Sequence, residues 1–169
     1  MLNFHVAIEM GHVEIKKNQT LEKFSDYWLE WGLLFKVEAD ITVNSLASAQ
    51  WLNVFHFTIG GNFGDSWNGN RIPALFIDNI DKNLHLCFTG QFNFNFDLGQ
   101  KYHILFQQYI FADKVIAEIK IDGNIINSTE NNQAKIFPGV KLYIANPWYE
   151  AFTSNYGLLE NFKITKYFM

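Results

Sequence analysis

The feature that most constrains this chain is an alternation of apolar and other residues with a period of two, repeated along nearly its whole length. Phe4, Val6 and Ile8 begin it, and Val13 with Ile15, then Leu33, Phe35 and Val37, carry it on. The pattern returns at residues 54–59, at Leu75 and Ile77, at Leu84, Leu86 and Phe88, and at Phe92, Phe94 and Phe96. Residues 102–106, 115–121, 140–144 and 158–167 complete it. Successive side chains of a strand point to opposite faces, so this spacing describes strands with one buried face. Gly, Asn, Asp or Pro bounds each run and supplies the backbone angles that turns need. About a dozen short strands and no convincing amphipathic helix predict an all-β fold, an antiparallel two-sheet β-sandwich or jelly roll, and disfavour a doubly wound α/β fold. Only residues 21–31 show helical spacing, with Leu21, Phe24, Trp28 and Trp31 able to share a face. A loop and short strand pinned by those aromatic side chains fits equally well.

A length of 169 residues fits one domain spanning residues 1–169, since there is no repeat, low-complexity linker or shift of composition. A chain that is 49% hydrophobic and 17% aromatic against 18% charged is too apolar to be disordered. The net charge of -4 argues against nucleic acid, whose backbone is bound by clustered Lys and Arg. No apolar run approaches the ~18 to 20 residues that cross a bilayer, so a soluble domain without membrane insertion is expected. Residues 1–9 alternate as a strand does and lack the basic and apolar regions of a secretory signal. The single cysteine, Cys87, cannot form an intrachain disulfide. It is expected to be a small apolar residue inside a strand, because a reactive thiol needs a cationic neighbour and none is adjacent in sequence.

Residues 101–108 (KYHILFQQ), followed by 117–123 (AEIKIDG), form a pattern that resembles the central hairpin of laminin G-like and related concanavalin A-like domains. Ile119 and Ile121 should point inward and Lys120 outward, with Asp122-Gly123 as the hairpin turn and residues 124–128 as the returning strand. Residues 53–77, 140–149 and 157–164 resemble an animal extracellular variant of the same family, in which a Pro-Trp-Tyr segment precedes a closing Gly-x-x-x-Asn strand that pairs near the N-terminus. The resemblance runs from about Trp31 to Ile164 and rests on structural motifs, which sandwich domains share without sharing function.

Catalytic patterns are weak. Glycosidases of the concanavalin A-like fold place two carboxylates on alternate strand positions so that both face the scissile bond. Glu38-Ala39-Asp40 begins such a pattern, but Thr42 and Val43 stand where the second Glu belongs, so these two carboxylates read as a solvent-facing pair. Glu118 and Asp122 lack the motif altogether. The five histidines, His5, His12, His56, His85 and His103, are scattered over separate strands and match no zinc motif. A non-enzymatic protein is therefore expected, with a glycan-cleaving enzyme as the less favoured reading.

Binding has two candidate sites. The Asn- and Gly-rich segment 60–70 should be an exposed loop at an edge of the sandwich. There Asn62, Asp65, Trp67, Asn68 and Asn70 combine a carboxylate, amide oxygens and an indole, a mixture suited to Ca²⁺ or to a sugar. A turn-rich loop whose Asn and Asp side chains cap their own backbone is the reading favoured for them. The laminin G-like resemblance implies Ca²⁺ held by rim loops, and Asp65 with Asn68 are the residues that would ligate it. The second candidate is Asn146-Pro147-Trp148-Tyr149, in which the proline fixes an extended turn. Trp148 and Tyr149 then point either inward as a core plug, the reading favoured for large aromatics, or outward as a binding platform. Two glycosylation sequons, Asn18-Gln19-Thr20 and Asn127-Ser128-Thr129, sit in turn-like segments and lean toward an extracellular or secreted setting over a cytoplasmic one.

Together these features lead to the expectation of an extracellular recognition module that binds a glycan or protein through sandwich-edge loops, with Ca²⁺ as a candidate cofactor. The rival is a structural, self-assembling β-sandwich whose aromatic strand 92–96 pairs between chains at a sheet edge.

Overall fold

The fold is described from a computed structural model, which places the backbone of residues 3–13, 19–20, 34–62, 69–144 and 148–168 and the side chains of 34–62, 69–144, 148–150 and 152–165. The candidates Asp65, Trp67, Asn68 and Asn146, and the helical spacing of residues 21–31, lie outside the described residues. The described residues form strands β1 (Asn3–Val13), β2 (Gln19–Thr20), β3 (Phe35–Val43), β4 (Trp51–Thr58), β5 (Ala74–Asp78), β6 (Asn83–Cys87) and β7 (Gln91–Asn95). They continue as β8 (Lys101–Phe111), β9 (Lys114–Ile121), β10 (Asn124–Glu130), β11 (Lys141–Ile144), β12 (Glu150–Ala151) and β13 (Gly157–Phe168). No helix occurs among them.

Two sheets result, one of six strands in the order β1-β13-β3-β8-β9-β10 and one of seven in the order β2-β11-β4-β5-β6-β7 with β12 also on β4. All neighbours are antiparallel except β12 on β4. The expected two-sheet sandwich is the fold. The central hairpin forms as its sequence implies: Ile119 and Ile121 are buried, Lys120 is half-exposed, and Asp122 and Gly123 turn the chain at φ values of 51° and 79°. The closing strand β13 pairs with β1 along residues 159–168. The sequon at Asn127 is not in a turn. It lies within β10, and the Asn127 side-chain nitrogen is buried, which is a poor position for a glycosylation acceptor.

Phe55 is the hub of the core. Its ring meets Phe57 and, across the sandwich, Phe106 of β8 at 5.9 Å and Phe162 of β13 at 5.3 Å, all near edge-on, the arrangement aromatic quadrupoles prefer. Two register shifts make this possible. In β4 the shift between Asn53 and Phe55 sends both Val54 and Phe55 inward. In β13 the shift between Glu160 and Lys163, with Asn161 at a φ of 51°, leaves Glu160 and Asn161 outward and turns Phe162 in. Each extra residue resets the alternation, so the strand beyond it keeps its apolar face on the core. Phe92 and Phe94 of the edge strand β7 pack on the same core, so their rings serve this sandwich and only the backbone edge faces outward.

Gly157 opens β13 where no side chain fits. A Cβ there would lie 1.9 Å from the Thr42 carbonyl oxygen and 2.6 Å from the Phe152 ring. The oxygen belongs to the backbone of a paired strand and cannot step aside. Gly157→Ala is expected to destabilise the domain by about 3 kcal/mol, the upper part of the range for overpacking, as read by the midpoint of urea unfolding.

Candidate functional site

The outer faces of the two sheets differ in chemistry. On the six-stranded sheet the outward positions carry charge: Lys36 pairs with Glu38 at 2.6 Å, Lys101 with Glu160 at 2.7 Å and Lys120 with Glu118 at 2.8 Å. Asp40 accepts from Asn161 and from His103, each at 2.7 Å. Burial pushes the Asp40 carboxyl up, but the hydrogen bonds from Asn161 and His103 outweigh it and hold the group below its usual range. Glu38 and Asp40 thus share one outer face as expected, Glu38 paired with Lys36 on the same strand and Asp40 with His103 and Asn161 on the two adjacent ones.

The seven-stranded sheet instead carries rings on its outer face. Register sets Asn53 of β4 beside Phe76 of β5, and Phe76 beside His85 of β6. His56 follows on β4, re-phased outward by the shift at Phe55, and Tyr143 of β11 lies opposite it. The chain leaves β4 near His56 and rejoins it at Leu52 through β12, so the connecting segment lays Trp148 and Tyr149 over the sheet. Trp148 packs on His56 at 4.9 Å and Tyr143 at 5.6 Å. Tyr149 meets Phe76 at 5.3 Å and Trp51 at 6.0 Å, and Trp51 meets His85 at 5.1 Å. An unbroken aromatic stripe crosses β11, β4, β5 and β6. Neither Trp148 nor Tyr149 plugs the core between the sheets: Trp148 remains 38% exposed and Tyr149 half-buried on the outer surface.

At one end of the stripe an open pocket of about 170 Å³ is lined by Trp51, Arg71, Phe76, His85, Gln91 and Tyr149. Arg71 is 8% exposed, with its guanidinium 5.0 Å above the Phe76 ring centre. Its Nε donates to the Asn62 carboxamide oxygen at 3.1 Å and its Nη1 to the Cys87 sulfur at 3.5 Å. His85 Nδ1 lies 2.6 Å from the Asn93 carboxamide oxygen on β7. Donation to that oxygen leaves Nε2 as the acceptor of the neutral ring.

Of the loop candidates, Asn62 is committed to Arg71, while the Asn70 backbone carbonyl accepts from His56 Nε2. Both tie the described flanks of segment 60–70 down onto the sheet. Among the described residues no three His, Cys, Asp or Glu side chains converge to hold a metal, and a guanidinium beside Asn62 repels a cation there. No helix among them is long and apolar enough to cross a membrane. The pocket residues Trp51, Arg71, Phe76, His85 and Gln91 were not singled out in the sequence. One signal for them existed: the positions that alternate with Leu75 and Ile77 are Ala74 and Phe76, apolar as well, as in a strand covered on both faces.

The class is thus a jelly-roll β-sandwich with one charged and one aromatic outer face. No protein-family model matches the chain, and no curated protein matches it in sequence. Solved structures match it in shape. Trypanosoma rangeli sialidase does so with a TM-score of 0.54 at 12% identity, over 96% of this chain and 27% of the sialidase. A structure titled for the cell entry of botulinum neurotoxin type C, dependent on two ganglioside molecules, does so with a TM-score of 0.53 at 10% identity, over 96% of this chain and 42% of that one. The chain spans less than half of either protein, and the likeness is one of fold.

Two buried groups give tests of this geometry. His56 is fully buried, with no partner for Nδ1 among the described residues, and burial lowers its pKa from 6.5 to about 4. The unfolded chain therefore takes up the proton first as pH falls. Stability is expected to be level above about pH 6.5 and to drop by about 3 kcal/mol toward pH 4, with the slope flattened in His56→Gln, as followed by urea unfolding across that range. Cys87 does have a cationic neighbour, Arg71, which its sequence neighbours did not reveal. Burial nevertheless prevails over the guanidinium and pushes the thiol up to about 11. Iodoacetamide at pH 8 is expected to leave the native protein unmodified and to alkylate it once unfolded, as read by mass spectrometry.

Proposed function

We propose that this chain is a non-enzymatic glycan-binding module whose site is the outer face of the seven-stranded sheet. The observation that carries the reading is the aromatic stripe ending in a pocket where Trp51, Phe76 and Tyr149 stand beside Arg71, His85 and Gln91. Rings of this kind stack on the C–H faces of sugars, and the polar groups among them hydrogen-bond hydroxyls. The stripe runs across strands spaced about 4.8 Å apart, so it suits an extended oligosaccharide lying across the sheet. Ganglioside binding by one protein of similar fold and sialidase activity in another support a glycan over a protein ligand. A glycan ligand also fits the extracellular, laminin G-like setting expected from the sequence. None of the described pocket residues is a carboxylate, and in this reading the same affinity is expected in Ca²⁺ and in EDTA.

The test is titration calorimetry against a panel of oligosaccharides, in Ca²⁺ and in EDTA. Trp51→Ala or Tyr149→Ala is expected to weaken binding at least tenfold, about 1.4 kcal/mol, without altering the fold by circular dichroism. Loss of binding in Asp65→Asn or Trp67→Ala instead, together with sensitivity to EDTA, would move the site to the rim loop and to Ca²⁺. Release of shortened products from the panel would make the protein an enzyme.

A further inference from the structure

We propose that the pocket is selective for glycans that carry an anionic group, a carboxylate or a sulfate, and that Arg71 is its receptor. The inference rests on the glycan-binding reading and deepens it. Arg71 is more than nine-tenths buried, yet every hydrogen bond it makes among the described residues goes to a neutral atom, the Asn62 oxygen or the Cys87 sulfur. No described carboxylate lies within ion-pair distance of it, whereas Lys36, Lys101, Lys114 and Lys120, all on the other sheet, each have one. A guanidinium taken out of water without a counterion is costly, and a fold keeps one where a ligand supplies the missing charge.

The surroundings select what that ligand is. The Phe76 ring centre lies 5.0 Å from the guanidinium carbon, and the hydrogen bonds of Nε to Asn62 and of Nη1 to Cys87 leave Nη2 without a partner among the described residues, able to donate to a carboxylate or a sulfate. Trp51 and Tyr149 wall the same pocket, so the anion must be borne on something with an apolar face to stack, which a free inorganic ion lacks. His85 and Gln91 complete the lining with groups able to meet ring hydroxyls. The carboxylates Glu38, Asp40, Glu118 and Glu160 stand on the opposite sheet, and two on this side are already held by the protein, Asp78 by the backbone N–H groups of Ile80 and Asp81 and Glu150 by the Tyr156 hydroxyl.

The experiment compares a polyuronate oligosaccharide with its carboxyl-reduced form, and a sulfated galactan oligosaccharide with its desulfated form, by calorimetry on wild type, Arg71→Gln and Arg71→Lys. Wild type is expected to prefer the anionic member of at least one pair by tenfold or more, and that preference is expected to weaken as salt rises. Arg71→Gln is expected to erase the preference, so that charged and neutral members bind alike whatever their absolute affinity, and Arg71→Lys to retain part of it. The preference is a ratio within one variant, so a general loss of folding does not imitate it. Which pair shows the preference separates carboxylate from sulfate. Equal binding of charged and neutral members, or a preference unchanged in Arg71→Gln, overturns the inference and leaves the glycan-binding reading standing. No binding of any member by wild type defeats that reading itself. Anionic binding that arises only in Asp65→Asn would make that side chain the resident counterion and also overturn the inference.

Discussion

The contact of Phe55 with Phe106 and Phe162 joins the two sheets, and the rest of the molecule depends on the phase it sets. A strand buries one face only, so the residue that faces the core decides which residues face out. The extra residue at Val54-Phe55 turns two consecutive side chains inward and thereby sends His56 and Thr58 to the same outer face as Trp51 and Asn53. Without that shift His56 would stand in the core and Phe57 outside. On β13 the matching shift brings Phe162 in and leaves Asn161 outward, within reach of Asp40. Packing across the core and chemistry on both surfaces thus follow from the same two irregularities.

The outer faces then divide the labour. Ion pairs within and between strands, and the hydrogen bonds of Asp40 to the strands on either side, satisfy charged groups on the six-stranded sheet's surface. The seven-stranded sheet is covered by its own chain, because β11 and β12 rejoin β4 at different heights and the segment between them lays two large rings over the strands. That arrangement buries Arg71 and Cys87 next to one another. Burial of the pair has opposite consequences: the thiol, which can stay neutral, becomes inert, while the guanidinium, which cannot, keeps its charge and its demand for an anion.

Much of the fold was legible because alternation is a local property. Phe35 with Val37, Leu84 with Leu86, and residues 102–106 lie in strands with their apolar side chains inward, and Asp122-Gly123 became the turn its residue types prescribe. Less of the site was legible. Asn62 and Asn70 looked like exposed loop donors, yet one holds Arg71 and the other's carbonyl holds His56, because the loop's ends fold back on the sheet. Trp148 and Tyr149 stand out in the sequence as a pair, but nothing local distinguishes a ring that enters the core from one that lies on the far side of a sheet. The apolar run Ala74-Leu75-Phe76-Ile77 did carry that information in outline, since a strand without a polar face must be covered twice.

By itself the sequence determined that this chain folds as strands, that the strands bury one face against a second sheet, and that its net charge of -4 argues against nucleic acid. Those properties follow from period, turn residues and charge, all of which neighbouring residues share. The tertiary structure alone decided that Trp51, Arg71, Phe76, His85, Gln91 and Tyr149 line one pocket. They come from four strands and two connecting segments spread between positions 51 and 149, and only strand order and register bring them together.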